Sequence, residues 1–133
     1  MSECCGKNTK CLVYACSGAS NVGQLSNEAA KTLDSTGEAD MACLAGLGGH
    51  IAGMLPSAES GSQILVIDGC ILGCGKKIIE NLGIKDYGYI EITSLGIEKE
   101  HNVCKTPSNQ VKEVVNAAKS EIKKLSEKGD IKA

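Results

Sequence analysis

Short uninterrupted apolar runs alternate along the chain with longer stretches in which apolar residues recur three or four positions apart. That alternation predicts the fold before any chemistry is considered. Cys11-Leu-Val-Tyr-Ala-Cys16 and Ile64-Leu-Val-Ile-Asp68 have strand length and read as strands buried on both faces of a parallel sheet. Ala39 to Cys43 and Tyr87 to Thr93 read as two more strands. Val22, Leu25, Ala29 and Leu33 stand at helical spacing and predict a helix that stops near Gly37. Lys76 to Leu82 predicts another, with Cys74 in its first turn. The clearest helix follows Thr106-Pro107-Ser108, where Val111, Val114, Val115, Ala118, Ile122 and Leu125 mark one apolar face. The glycine-rich stretch from Ala45 to Leu55 reads as a short helix with close backbone packing, and Pro56 to Ser62 as a surface turn.

Strands alternating with helices predict an α/β fold. The expected architecture is a single-domain, three-layer Rossmann-like or flavodoxin-like fold, with a mostly parallel sheet of about four strands and helices on both faces. Residues 1–10 read as an N-terminal tail and 11–133 as the domain. Folds of this class bind ligands off the carboxyl ends of their strands, where the strand order reverses. Cys16, Cys43 and Cys70 all stand at such ends, and Cys74 follows Cys70 by one helical turn. At the start of a helix, exposed N–H groups are expected to favour the thiolate of Cys74. Cys11 lies five residues before Cys16, hence roughly 16 Å away at the opposite edge of the sheet, and reads as an ordinary core residue. Cys4 and Cys5 read as spare thiols of the tail.

Composition narrows the chemistry. A chain of 133 residues with 42% hydrophobic content buries an adequate core without a metal to staple it. Phe and Trp are absent, and Tyr14, Tyr87 and Tyr89 are the only aromatics, so the core is expected to be aliphatic, and the composition argues against base-stacking recognition of single-stranded nucleic acid. A net charge of −2 gives no basic footprint, so nucleic acid is not an expected partner. No stretch approaches a membrane span, and Met1-Ser-Glu-Cys-Cys-Gly lacks the layout of a signal peptide. No membrane partner and a cytoplasmic location are expected. In that setting eight cysteines read as ligands or redox thiols rather than disulfides.

Several motifs come near and fail. Gly18-x4-Gly23 has the glycine spacing of a phosphate-binding P-loop, but Gln24-Leu25 stands where Lys-Ser/Thr is needed. Cys16 after the first strand has the address of the nucleophile in cysteine phosphatases and related arsenate reductases. Their oxyanion fork is an arginine, and all 14 basic residues here are lysines. Gly46-Leu-Gly-Gly does not link a strand to a helix as a dinucleotide fingerprint must. Cys-x-x-Cys and ferredoxin spacings are both missing. His50 and His101 read as surface or hydrogen-bonded residues, His101 being the better spare ligand, and Cys104 as structural filler. Lys76 and Lys77 read as solvated or anion-steering. Asp68 reads as a partner of turn amides or as support to a cysteine ligand.

At these residues the chain resembles the DGC-domain family, named for its Asp-Gly-Cys motif and associated with zinc binding. The resemblance is carried by Ala15-Cys16-Ser17-Gly18, Ala42-Cys43-Leu44 and Ile67-Asp68-Gly69-Cys70 with Cys74, and more loosely by Leu95-Gly96-Ile97-x-Lys99. Ala45-Gly46 replaces an expected proline-containing segment, and Cys4, Cys5 and Cys11 are extra. The resemblance implies a metal role for Cys16, Cys43, Cys70 and Cys74, the same four residues selected by topology. Four thiolates, or three and a water, suit tetrahedral zinc at about 2.3 Å. The expected partners are therefore a metal ion and a small thiol or sulfide ligand. The alternatives are an iron–sulfur cluster in place of zinc, or a cysteine-based redox or sulfur-transfer enzyme or carrier in which Cys70 and Cys74 pair or hold a persulfide.

Overall fold

The computed structural model describes residues 11–55 and 62–132. Cys4, Cys5 and nearly all of the expected 56–62 turn lie outside them. The apolar runs form β1 (Cys11–Ala15) and β3 (Gln63–Asp68), with β2 (Asp40–Ala42) and β4 (Gly88–Glu91) as the shorter outer strands. They build one four-stranded sheet in the order β2-β1-β3-β4. Every pairing is parallel, with Leu12 beside Asp40, Ala15 beside Ile67 and Asp68 beside Glu91. The chain leaves β1 to one side for β2 and returns to its other side for β3. The strand order therefore reverses at β1, and the crevice that such a reversal opens lies past the carboxyl ends of β1 and its neighbours.

Helices cover both faces because side chains alternate along each strand. On one face Val13, Ala15, Leu65 and Ile67 pack against α1 (Asn21–Ser35) and the long α4 (Ser108–Lys132), through Leu25, Ala29, Leu33, Val114 and Ala118. On the other, Leu12, Tyr14, Ile64 and Val66 meet Leu44 and Leu47 of α2 (Leu44–Gly48) and Ile79 of α3 (Cys74–Asn81). No helix among the described residues is long and apolar enough to cross a membrane.

Two details refine the sequence reading. The strand expected over Tyr87 to Thr93 stops at Glu91, and Ile92–Leu95 turns into a 3₁₀ segment. The Ser94 hydroxyl donates to the Glu91 carbonyl at 2.6 Å, the Thr93 N–H to the Gly69 carbonyl at 3.2 Å, and Gly96 closes the turn at φ +93°. Cys11 is 2% exposed within β1, as a core residue should be. Burial first, then the negative charge of Asp40, push its thiol up to about 11.

Candidate functional site

The site is organised by the turn between β3 and α3. Gly73, which opens α3, lies at φ +63° and supplies no side-chain cap. Asp68, 1% exposed at the end of β3, caps the helix instead. Its Oδ1 accepts the Gly75 N–H at 2.8 Å, while Oδ2 accepts the Lys76 N–H at 3.0 Å and the Tyr89 hydroxyl at 2.8 Å. Burial first, and then the Asp68 carboxylate, raise the Tyr89 phenol above its ordinary range, so it remains a donor. Gly75 has to be a glycine, because a Cβ there would stand 2.7 Å from Asp68 Oδ1 and 2.9 Å from Val66 Cγ1. These bonds revise the expectation for Cys74. The helix amides beside it are already bonded to a carboxylate, so they are not open donors for its sulfur.

Gly69 joins this turn to the first loop. A Cβ on it would fall 2.7 Å from the Gly23 nitrogen and 2.8 Å from the Val22 carbonyl carbon, which are backbone atoms with no room to yield. The close approach lets the Gly69 N–H donate to Cys16 Sγ at 3.4 Å. Ser26 Oγ lies 3.6 Å from the same sulfur. That hydroxyl spends its one proton on the Gly23 carbonyl at 2.6 Å and accepts the Ser17 N–H at 3.0 Å, so the thiol is the donor between Cys16 and Ser26. Ser17 itself lies at φ +51°, where a residue other than glycine is strained. Its hydroxyl donates to Asn27 at 3.2 Å and its carbonyl accepts Gln24 Nε2 at 3.1 Å. Strain held in place by that many bonds is typical of a site built for use. Gln24 also reaches the Gly18 carbonyl at 3.0 Å. A P-loop turns amides toward its ligand, whereas this loop turns carbonyls toward Gln24.

Cys16, Cys43 and Cys74 line one cavity of about 270 Å³. Its walls are Ala15, Ser17, Met41, Ala42, Leu44, Ala45 and Ile78. Cys43 precedes α2, makes no capping bond and is exposed, as is Cys74. Cys70 does not line this cavity. It packs against the α1–α4 layer, and Cys16 packs against the α2–α3 layer while its sulfur also reaches Ser26 of α1. Its Sγ accepts Lys99 Nζ at 3.4 Å. Lys99 is placed by Asn21, a buried residue whose Nδ2 donates to the Glu98 carbonyl at 2.8 Å and whose Oδ1 accepts the Glu100 N–H at 2.6 Å. As the side chains stand, no group of three His, Cys, Asp or Glu among the described residues is arranged to hold a metal ion. The donors nonetheless have the chemistry a thiophilic metal requires.

A profile of the DGC domain matches residues 12–118, from β1 into α4, and so takes in every strand and every cysteine of this edge. The chain belongs to the DGC domain family. It is 40% identical over 90 residues to the anaerobic and virulence modulator AnvM of Pseudomonas aeruginosa, a match covering 68% of this chain and 69% of that protein. No solved structure matches it. In this DGC protein the three residues of the motif have separate tasks. Asp68 caps α3 and ties it to β4, Gly69 brings the turn against α1, and Cys70 meets Lys99.

The remaining sequence candidates lie off the cavity. His101 Nδ1 stands 3.1 Å from the Ala19 carbonyl, His50 is exposed, and Cys104 is exposed rather than filling the core. Lys76 Nζ lies 5.1 Å from the centre of the Tyr89 ring, a cation–π contact. A larger groove of about 450 Å³ between β4 and α4 contains no cysteine, and its carboxylates Glu91 and Glu121 already bond Thr93 and Lys124. Sequence reasoning missed Ser26, Tyr89 and Asn21. Tyr89 stood out only as a strand residue, and the partners of Asn21 are 77 and 79 positions away.

Proposed function

We propose that this DGC protein binds a thiophilic metal ion, zinc foremost, at the carboxyl edge of its sheet and uses it in metal or sulfur handling. One observation carries the reading: thiols from three separate strand-end segments, Cys16, Cys43 and Cys74, line one cavity. Cys70 is the remaining thiol at that edge and completes the family's set of four. Thiolate ligands select zinc and similar soft or borderline ions. Cys43 and Cys74 are exposed, so their rotamers are free to adjust around an ion. When bound, the metal would supply a Lewis-acidic centre with affinity for sulfur.

The placement favours a working site over a structural staple. The apolar layers close on both faces of the sheet without the cavity, which lies at the strand ends where α/β folds keep their ligands. The similar Pseudomonas protein is named an anaerobic and virulence modulator, and a metal–thiol centre suits modulation as well as it suits delivery. The redox or sulfur-transfer reading is favoured by a different observation, the Cys70–Lys99 contact at 3.4 Å, which places a cation beside a thiol.

Metal content decides between them. Protein purified without added metal is expected to carry about one zinc per chain, with the cavity thiols Cys16, Cys43 and Cys74 titratable only after chelation. Metal-free protein with one fast-reacting thiol would overturn the metal reading in favour of thiol chemistry. A coloured preparation containing iron would replace zinc with an iron–sulfur cluster.

A further inference from the structure

Independently of any bound metal, we infer that the turn from Cys70 to Gly73 is a docking surface for another protein, one whose contacting segment carries apolar side chains flanked by carboxylates. The turn is closed by the Gly73 N–H, which donates to the Cys70 carbonyl at 3.2 Å. Ile71 and Leu72 therefore stand at its two corners, positions that Gly, Pro, Asn, Asp and Ser ordinarily take. These two aliphatic side chains are 83% and 66% exposed, more than any other large apolar residue described. Neither packs into the apolar layer on either face of the sheet. Adjacent aliphatics held in water at a turn break the local rule, and such breaks fall at functional sites.

The turn is also held in one shape. The Thr93 N–H bonds the Gly69 carbonyl before it at 3.2 Å, and the Lys77 N–H bonds the Gly73 carbonyl after it at 2.9 Å. Asp68 secures the Gly75 and Lys76 amides beyond. A knob fixed in this way loses little conformational freedom when a partner receives it.

The surrounding charge defines that partner. Lys76 and Lys77 lie in the first turn of α3, which contains no acidic residue. Cations there oppose the helix macrodipole, so their placement does not serve the helix. Lys99 reaches the start of the turn, its Nζ 3.4 Å from Cys70 Sγ. All three lysines are exposed, and none of them forms an ion pair among the described residues. Asp68 is buried under the helix start, and Glu100 is paired with Lys105. An apolar knob rimmed by unpaired lysines complements an apolar segment rimmed by carboxylates. A second copy of this chain would set lysines against lysines where the two turns met, and two side chains alone hold a membrane only weakly. Cys74 lines the thiol cavity and follows Leu72 by two residues, so the docked segment would lie at the cavity mouth.

Selection of binders from a displayed library of random peptides tests the docking on the full chain, with Ile71→Ser/Leu72→Ser protein as the counter-selection. Both positions are exposed, so the double variant is expected to keep the wild-type circular dichroism. The expected peptides combine apolar residues with Asp or Glu. Their affinity should fall about tenfold or more in the double variant. It should fall several-fold in Lys77→Glu, and also as salt is raised. No enrichment, peptides without carboxylates, or peptides that bind the double variant as well as the wild type would overturn the inference. Co-sedimentation with phosphatidylcholine–phosphatidylglycerol vesicles that the double variant loses would overturn it in favour of a lipid surface. A dimer in sedimentation velocity that the double variant loses would overturn it in favour of a second copy.

Discussion

Cys74→Ser is expected to abolish stable metal binding and leave the fold standing. Loss of a residue that merely supports a metal ligand costs about 10–100-fold in affinity, so loss of a ligand should exceed the upper end of that range. Serine is the sharpest replacement, because its hydroxyl is a poor ligand for a metal that thiolates hold. The fold has little at stake in the sulfur. Cys74 is exposed, and the first turn of α3 is fixed by the bonds of Asp68 to Gly75 and Lys76, neither of which involves the cysteine side chain. What stability the variant loses is mainly the linkage of bound metal to the folded state. A fall of several degrees in melting temperature is expected, on the order of 1–2 kcal/mol for a domain of this size. Zinc content should drop from about one per chain to near zero, with unchanged far-UV circular dichroism. Global unfolding of the variant, or of chelated wild type, would show the metal to be structural.

Asp68→Ala is expected to do the reverse, costing the fold heavily and the metal site as a consequence. The buried carboxylate receives two helix amides and the Tyr89 hydroxyl, and alanine leaves all three donors without it. Hydrogen bonds to a charged group contribute about 1.5–3 kcal/mol each, and their sum is reduced where water or a relaxed helix start takes over some donors. A loss of about 3–5 kcal/mol follows, which for this chain length corresponds to a fall of roughly 10 °C or more in melting temperature. The pair can be dissected. Tyr89→Phe alone removes one donor and should cost about 1 kcal/mol. Asp68→Ala already removes the acceptor of the Tyr89 hydroxyl, so adding Tyr89→Phe to it should cost less than the sum of the two. Additive effects in that cycle, by urea denaturation, would mean that the Tyr89–Asp68 bond contributes little.

Much of this architecture is legible in the residues. Apolar runs of strand length, helical spacing from Val22 to Leu33 and from Val111 to Leu125, and cysteines at three strand ends lead to the sheet and to the edge where those cysteines stand. The position of Cys70 was not legible. Hydrophobic alternation says which way a residue points only while the chain is a strand. After Asp68 the chain turns, and which layer Cys70 joins depends on the wedge of Gly69 against Val22 and Gly23. The helix end beside Cys74 misled for a related reason, since its amides were counted as open while their partner, Asp68, stood six residues earlier at the end of a strand. Asn21 left no local signal, because its contacts to Glu98 and Glu100 exist only once the chain has folded.

The central claim is that the strand-end thiols around the cavity hold a metal, and thiol footprinting of the protein as isolated tests it most directly. Brief alkylation of the folded protein, before and after chelation, is read by peptide mass spectrometry. Cys104, exposed and off the cavity, should be labelled in both samples, and Cys11, buried in β1, in neither. Cys43 and Cys74 are exposed in the fold, so nothing except a bound metal should shield them. Both are expected to be protected as isolated and labelled after chelation. Equal labelling of Cys43 and Cys74 in the two samples would contradict it.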